Sequence, residues 1–149
     1  MTMLDRRTVR TGASAFATLV LILAASGYAQ KADAAGKPAT AHLQAYIEAF
    51  NTGSLDRMRA FFEEHFAPSA LKEAPVAQRL VRYQNGKLQL KSFALDRVVA
   101  ELEFQTAFLV KTGGGQNILL RATVEKTAPH KLLAITAEIV EDPGSITVP

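Results

Sequence analysis

Phe108-Leu109-Val110-Lys111-Thr112-Gly113-Gly114-Gly115-Gln116-Asn117-Ile118-Leu119-Leu120 is the stretch that decides the fold. Three consecutive glycines between two apolar runs specify a hairpin, because glycine accepts the positive φ that tight connections demand. Pairing Thr112 with Gln116 places Phe108 and Val110 on the same face as Ile118, Leu120, Ala122 and Val124. Working outward, Ala100, Leu102, Phe104, Phe108 and Val110 share one parity with Thr106 among them, which predicts a long strand before the turn. After Ala128-Pro129-His130, the residues Leu133, Ile135, Ala137 and Ile139 alternate as a further strand. Leu88 and Leu90, then Phe93 and Leu95, predict the first strand, with a bulge near Ser92 where parity changes.

Upstream of Gly86 the period is helical. Leu43, Tyr46, Ile47 and Phe50 form one stripe, ended by Asn51-Thr52-Gly53. Ser54 is positioned to cap a second helix that buries Leu55, Met58, Phe61, Phe62 and Phe66 and stops at Pro68. A third helix starts at Pro75, carries Val76, Leu80 and Tyr83, and ends at Asn85-Gly86. Helices first and strands afterwards define an α+β domain: three N-terminal helices packed on a curved antiparallel four-stranded sheet. Because Phe61 and Phe62 point about 100° apart on their helix, only one of them is expected to be strongly sensitive to truncation.

The chain of 149 residues is 48% hydrophobic and 21% charged, which suits one domain. It has no cysteine, which excludes disulfides, thiolate metal sites and cysteine nucleophiles. Arg6, Arg7 and Arg10 precede an apolar run from Ala13 to Ala25, and Gly27-Tyr28-Ala29 offers small residues at a cleavage site. That is the pattern of a secretory signal peptide over residues 1–29, cleaved near Ala29, and it predicts a periplasmic or secreted protein with no membrane association afterwards. A linker over residues 30–41, a domain over 42–142 and a C-terminal tail over 143–149 complete the expected organisation. Most of the net charge of +3 belongs to the leader; the remainder holds 14 basic and 13 acidic residues that alternate in sign, against nucleic-acid binding.

The order of elements from residue 40 to 142 resembles the NTF2-like (SnoaL-like, cystatin-superfamily) cone fold. Ala45-Tyr46-Ile47-Glu48-Ala49-Phe50-Asn51-Thr52-Gly53 and Phe61-Phe62-Glu63-Glu64-His65-Phe66-Ala67-Pro68 are similar to the accessory domain that precedes the catalytic domain in some bacterial serine hydrolases. The resemblance implies a cone between sheet and helices, where enzymes of this class place an acid or a base.

By strand parity the inward positions are almost wholly apolar, and no inward carboxylate stands out. Tyr46, Tyr83 and Asp96 are the catalytic candidates that remain, and His65 reads as a solvated histidine. Ser69-Ala70-Leu71-Lys72, Tyr83-Gln84-Asn85 and Lys111-Thr112-Gly113 match the three motifs of serine β-lactamases. They lie too close together in sequence for that fold, and no acylation of Ser69 is expected. His42, His65 and His130 lack metal-ligand spacing, so neither a metal nor a cofactor is implied. The reading is a binding or accessory module for an apolar small molecule or a protein partner, with a homodimer among the options. The competing reading is an isomerase, dehydratase or cyclase with its site in the cone.

Overall fold

The computed structural model describes residues 37–146. The expected signal peptide, most of the expected linker and the last three residues of the expected tail lie outside that range. Four helices, α1 (Pro38–Thr52), α2 (Leu55–His65), α3 (Pro68–Glu73) and α4 (Val76–Leu90), precede four strands, β1 (Phe93–Glu101), β2 (Gln105–Thr112), β3 (Asn117–Val124) and β4 (Leu132–Val140). The strands form an antiparallel meander in sequence order.

Local chemistry accounts for most boundaries. Pro38 opens α1 at the first helical position, and Gly53 closes it in the left-handed conformation. The Ser54 hydroxyl accepts from the Arg57 amide at 3.3 Å, while Asp56 stands in the first turn of α2. The Asn51 side chain then acts as a short piece of strand. Its amide donates to the Phe93 carbonyl and its oxygen accepts from the Phe93 amide, both at 2.8 Å, which fixes the end of α1 to the start of β1.

The core lies between the helix layer and the middle of the sheet. Leu43 and Phe50 of α1 and Met58, Phe61 and Phe62 of α2 meet Phe108, Val110, Ile118, Leu120, Ala122, Val124 and Leu132. Phe50 is in aromatic contact with Phe93, ring centroids 4.3 Å apart, and edge-on to Tyr83 at 5.4 Å.

The sheet does not form the cone that the resemblance implied. It is a single open sheet whose edges, β1 and β4, do not meet. The helices cover its centre and leave helix-side residues of both edge strands uncovered: Leu95 (47% exposed) and Val98 (46%) pair with core residues of β2, and Ile139 (61%) pairs with Ile118. A cone would wrap these residues inward. A second reason lies on the far face, where Val99, Ala107, Leu109 and Leu119 form another buried cluster with Val140 and Ile146. A sheet packed on both faces is held open, and the NTF2-like and SnoaL-like assignment falls with the cone.

Several elements also run differently from their sequence reading. The linker becomes helical at Pro38, and Ala39 and Thr40 are buried. Pro68 ends α2 as expected but also starts the short α3. Helix α4 continues through Asn85 and Gly86 to Leu90, so Leu88 and Leu90 are helical rather than part of a strand. The long strand expected from Ala100 to Val110 is broken by a turn at residues 102–104, closed by the Leu102 amide on the Gln105 carbonyl at 2.8 Å. Leu102 is therefore 51% exposed. An extra residue at the start of β4 turns Leu132 inward, where Leu133 was expected. The tail, from the 3₁₀ turn Pro143–Ser145 to Ile146, folds against the far face.

The three hairpin glycines serve different ends. Gly115 alone has a positive φ, of 88°. At Gly113 a Cβ would stand 2.8 Å from the Ser92 hydroxyl and 3.0 Å from the Lys91 Cβ, so the hairpin packs against the link between α4 and β1. Gly113→Ala is expected to cost about 1–3 kcal/mol in urea melts, whereas Gly114→Ala, with only ordinary contacts, should remain within about 0.5 kcal/mol.

Candidate functional site

Two of the three sequence candidates come together. Tyr46 projects from α1 and Tyr83 from α4 into a cleft of about 240 Å³ between the helix layer and the β4 side of the sheet. Phe50, Phe62, Phe66 and Phe93 supply its apolar walls, Ile135 and Ala137 its sheet side, and Arg79 and Arg82 its charged groups. No carboxylate and no histidine lines it.

The local folding explains each position. Helical spacing sets Leu80 and Tyr83 on the buried side of α4. Arg79 is held firmly: its guanidinium donates to the carbonyls of Ala74 and Ala70, both at 2.8 Å, and lies over the Phe66 ring at 4.1 Å. It thereby satisfies the carbonyl end of α3 and closes one side of the cleft. Arg82, three residues further on, adds a like charge nearby. On the other side the Lys87 ammonium donates to the Phe50 carbonyl at 3.0 Å and lies 5.0 Å from the Phe50 ring.

The two tyrosines are neutral donors. Burial, with Tyr83 close by, pushes the Tyr46 hydroxyl up to about 12, and burial raises Tyr83 as well. Neither can serve as a base near neutral pH. The Tyr83 hydroxyl is buried and has no hydrogen-bond partner, which leaves one donor unsatisfied on a residue that lines the cleft.

Asp96 stands apart. It is an exposed residue of β1, paired with Arg97 at 2.9 Å, and takes no part in the cleft. Ser69 and Lys72 are exposed on α3, and Lys111 is exposed near the end of β2. One carboxylate, Glu101, does turn to the helix side, where the strand parity expected none. It pairs with Thr106, and its carboxylate accepts from the buried Thr40 hydroxyl at 2.7 Å.

The histidines, far apart in sequence, converge in space. Nδ1 of His42 and Nδ1 of His65 are 2.8 Å apart, and Nε2 of His42 is 3.1 Å from the His130 carbonyl. A carbonyl only accepts, so His42 carries its proton on Nε2 and its Nδ1 accepts from His65. His65 is half-buried and stacks on Phe61 at 4.5 Å, so it is not the freely solvated residue expected. Among the described residues no cluster of three or more histidine or acidic side chains is arranged to hold a metal.

Burial lowers the pKa of both histidines, with Lys131 lowering each and Glu64 opposing it at His65. In the unfolded chain each histidine takes up a proton near pH 6.5, before the folded pair does. Their contribution to stability is therefore intact above that pH and lost as pH falls through the lowered folded values. The urea midpoint is expected to drop between pH 7.5 and pH 5. The double variant His42→Gln/His65→Gln should flatten that drop; an unchanged slope would remove the pair as its cause.

No described helix is long and apolar enough to cross a membrane. No family model, curated protein or solved structure matches the chain.

Proposed function

We propose that this is an exported binding module that holds a small apolar molecule bearing one anionic or hydrogen-bond-accepting group. The observation that carries this reading is Tyr83, which lines the aromatic cleft together with Arg79 and Arg82 and whose buried hydroxyl has no partner. An orphaned buried donor costs about 1–3 kcal/mol, and a bound acceptor would recover it. The aromatic walls would take the apolar body, and the two guanidinium groups would favour an anion at the rim. The space is smaller than that of drug-sized pockets, so a short-chain or single-ring carboxylate suits it. Export rests on the leader: three arginines, the apolar run and the Gly27-Tyr28-Ala29 site. With no carboxylate or histidine lining the cleft, binding is favoured over acid–base catalysis.

Octanoate, phenylacetate and the uncharged octanol are suitable probes. Octanoate or phenylacetate should receive saturation transfer from the Tyr46, Tyr83 and Phe62 rings in NMR, and octanol should bind more weakly. Tyr83→Phe should weaken carboxylate binding by about tenfold, the equivalent of one hydrogen bond to a charged group. It should leave the stability of the empty protein unchanged or raised. Failure of every probe at millimolar concentration, or full-strength binding by Tyr83→Phe, would overturn the assignment.

A further inference from the structure

Helix α4 turns one face to the cleft: Arg79, Arg82, Tyr83, Gly86 and Leu90 recur at helical spacing along its lining. Gly86 alone among them has no side chain. Glycine is the poorest residue in a helix interior apart from proline, and the usual reasons for accepting it are missing here. Its φ is not positive; among the described glycines only Gly53 and Gly115 have positive φ. Nothing crowds it either, since a Cβ on Gly86 would meet no atom within 4 Å. Nor does it end the helix, which runs on to Leu90. The glycine leaves a gap one side chain wide in the cleft wall, between Arg82 and Leu90, each about one turn away. The two arginines of this face are not equivalent. Arg79 commits its Nε and Nη2 to the carbonyls of Ala74 and Ala70 and lies over Phe66, so the edge that would clasp a carboxylate side-on is occupied. Arg82 is exposed, and among the described residues no carboxylate pairs with it.

We propose that the gap at Gly86 seats the carboxylate end of an unbranched monocarboxylate against the backbone of α4, with Arg82 selecting its charge and Arg79 acting as a positioning residue that holds the wall. The inference rests on the cleft reading above and names its ligand class. A side chain at Gly86 would stand where the ligand lies, which gives the helix a functional reason to carry a poor helix former there. Arg82 stands one turn before the gap with no carboxylate on its fork, so it is the guanidinium available to meet an anion bidentately. A single free charge matches a monoanion. A gap the width of one side chain admits a straight chain and rejects a branch beside the carboxylate, because that branch would press on Tyr83 or Leu90.

NMR titration of protein expressed from the full-length coding sequence, with octanoate and its branched isomer 2-ethylhexanoate, tests it beside urea melts of each variant. Octanoate should bind about fivefold more tightly than 2-ethylhexanoate. Gly86→Ala should raise the urea midpoint, since alanine is the better helix former, and still weaken octanoate by a few-fold. Gly86→Leu should keep the circular dichroism spectrum and weaken octanoate by about tenfold or more. Arg82→Gln should bring octanoate down to the affinity of octanol, a loss of about tenfold, with an unchanged urea midpoint. Arg79→Gln should weaken octanoate and octanol alike and lower the midpoint. Octanoate bound at full strength by Gly86→Leu overturns the gap. A lowered midpoint in Gly86→Ala overturns it too, because the glycine would then serve the fold. An Arg82→Gln protein that still prefers octanoate to octanol overturns the assignment of charge selection, and equal binding of the two isomers overturns the unbranched class. Failure of the unaltered protein to bind octanoate overturns the cleft reading and this inference with it, a result distinct from all the others.

Discussion

Phe108→Ala is expected to remove about 3–5 kcal/mol of folding free energy, most of what a domain of this size has to lose. Phe108 is fully buried in β2, opposite Leu120 of β3 and Val98 of β1, and belongs to the core beneath the helix layer. Its removal would leave a cavity between elements that are held from both sides, since the far face of the same strand packs Ala107 and Leu109 in the second cluster. Neither layer can relax inward without disturbing the other, so the upper part of the range is expected. Urea melts followed by circular dichroism would check it. A loss below about 1 kcal/mol would mean that the helices do not press on the centre of the sheet.

Phe61→Ala and Phe62→Ala should each cost a similar amount, about 3–5 kcal/mol, although the helical geometry of α2 suggests that only one of them matters. Both side chains are buried because α2 lies between two neighbours. Phe61 meets Tyr46 of α1 at 5.6 Å and stacks on His65, while Phe62 packs edge-on against Phe66 and lines the cleft. The two variants should differ in their binding phenotype. Phe62→Ala enlarges the cleft, and it alone should change the response to carboxylate probes. Equal and small losses would contradict this placement of α2.

Legibility in the sequence followed the range of the forces involved. Helices α1 and α2 and the β2–β3 hairpin could be read because their signals are local: a stripe at Leu43, Tyr46, Ile47 and Phe50, a serine cap, and three glycines. Helix α4 was cut short because Asn85-Gly86 is a stop signal by composition, yet Leu80, Tyr83, Lys87 and Leu90 continue one helical face past it. A glycine inside a helix costs about 1 kcal/mol, which packing at either end outweighs. The turn at residues 102–104 contains no glycine, proline or asparagine to announce it. Missing it assigned Leu102 to the core and hid the contact between Glu101 and Thr40.

Sheet closure was out of reach for a different reason. Whether a meander curls depends on where its bulges fall and on what covers its second face, and the covering residue Ile146 reads as tail. In the site, Tyr46 and Tyr83 were legible as aromatics on buried faces. Arg79 and Arg82 were not, because arginines on a surface helix read as solvated. Only the carbonyls of Ala70 and Ala74, brought close by the α3–α4 corner, show that Arg79 has a fixed place. The His42–His65 contact spans 23 positions, and no local pattern announces it.

Helix α1 is made first and completed last. The buried strand residues of the cluster that holds its Leu43 and Phe50, from Phe93 to Leu132, all come from the second half of the chain. While a ribosome is still producing β3, α1 can find α2 but not the sheet, and β1 can be anchored by Asn51 only once Phe93 has emerged. Non-local wiring of this kind slows folding and keeps the nascent chain open until its final third is available. Under the export proposed above, that delay would be useful: a secretion channel that accepts an extended thread would meet a chain whose compact state is postponed until passage is under way.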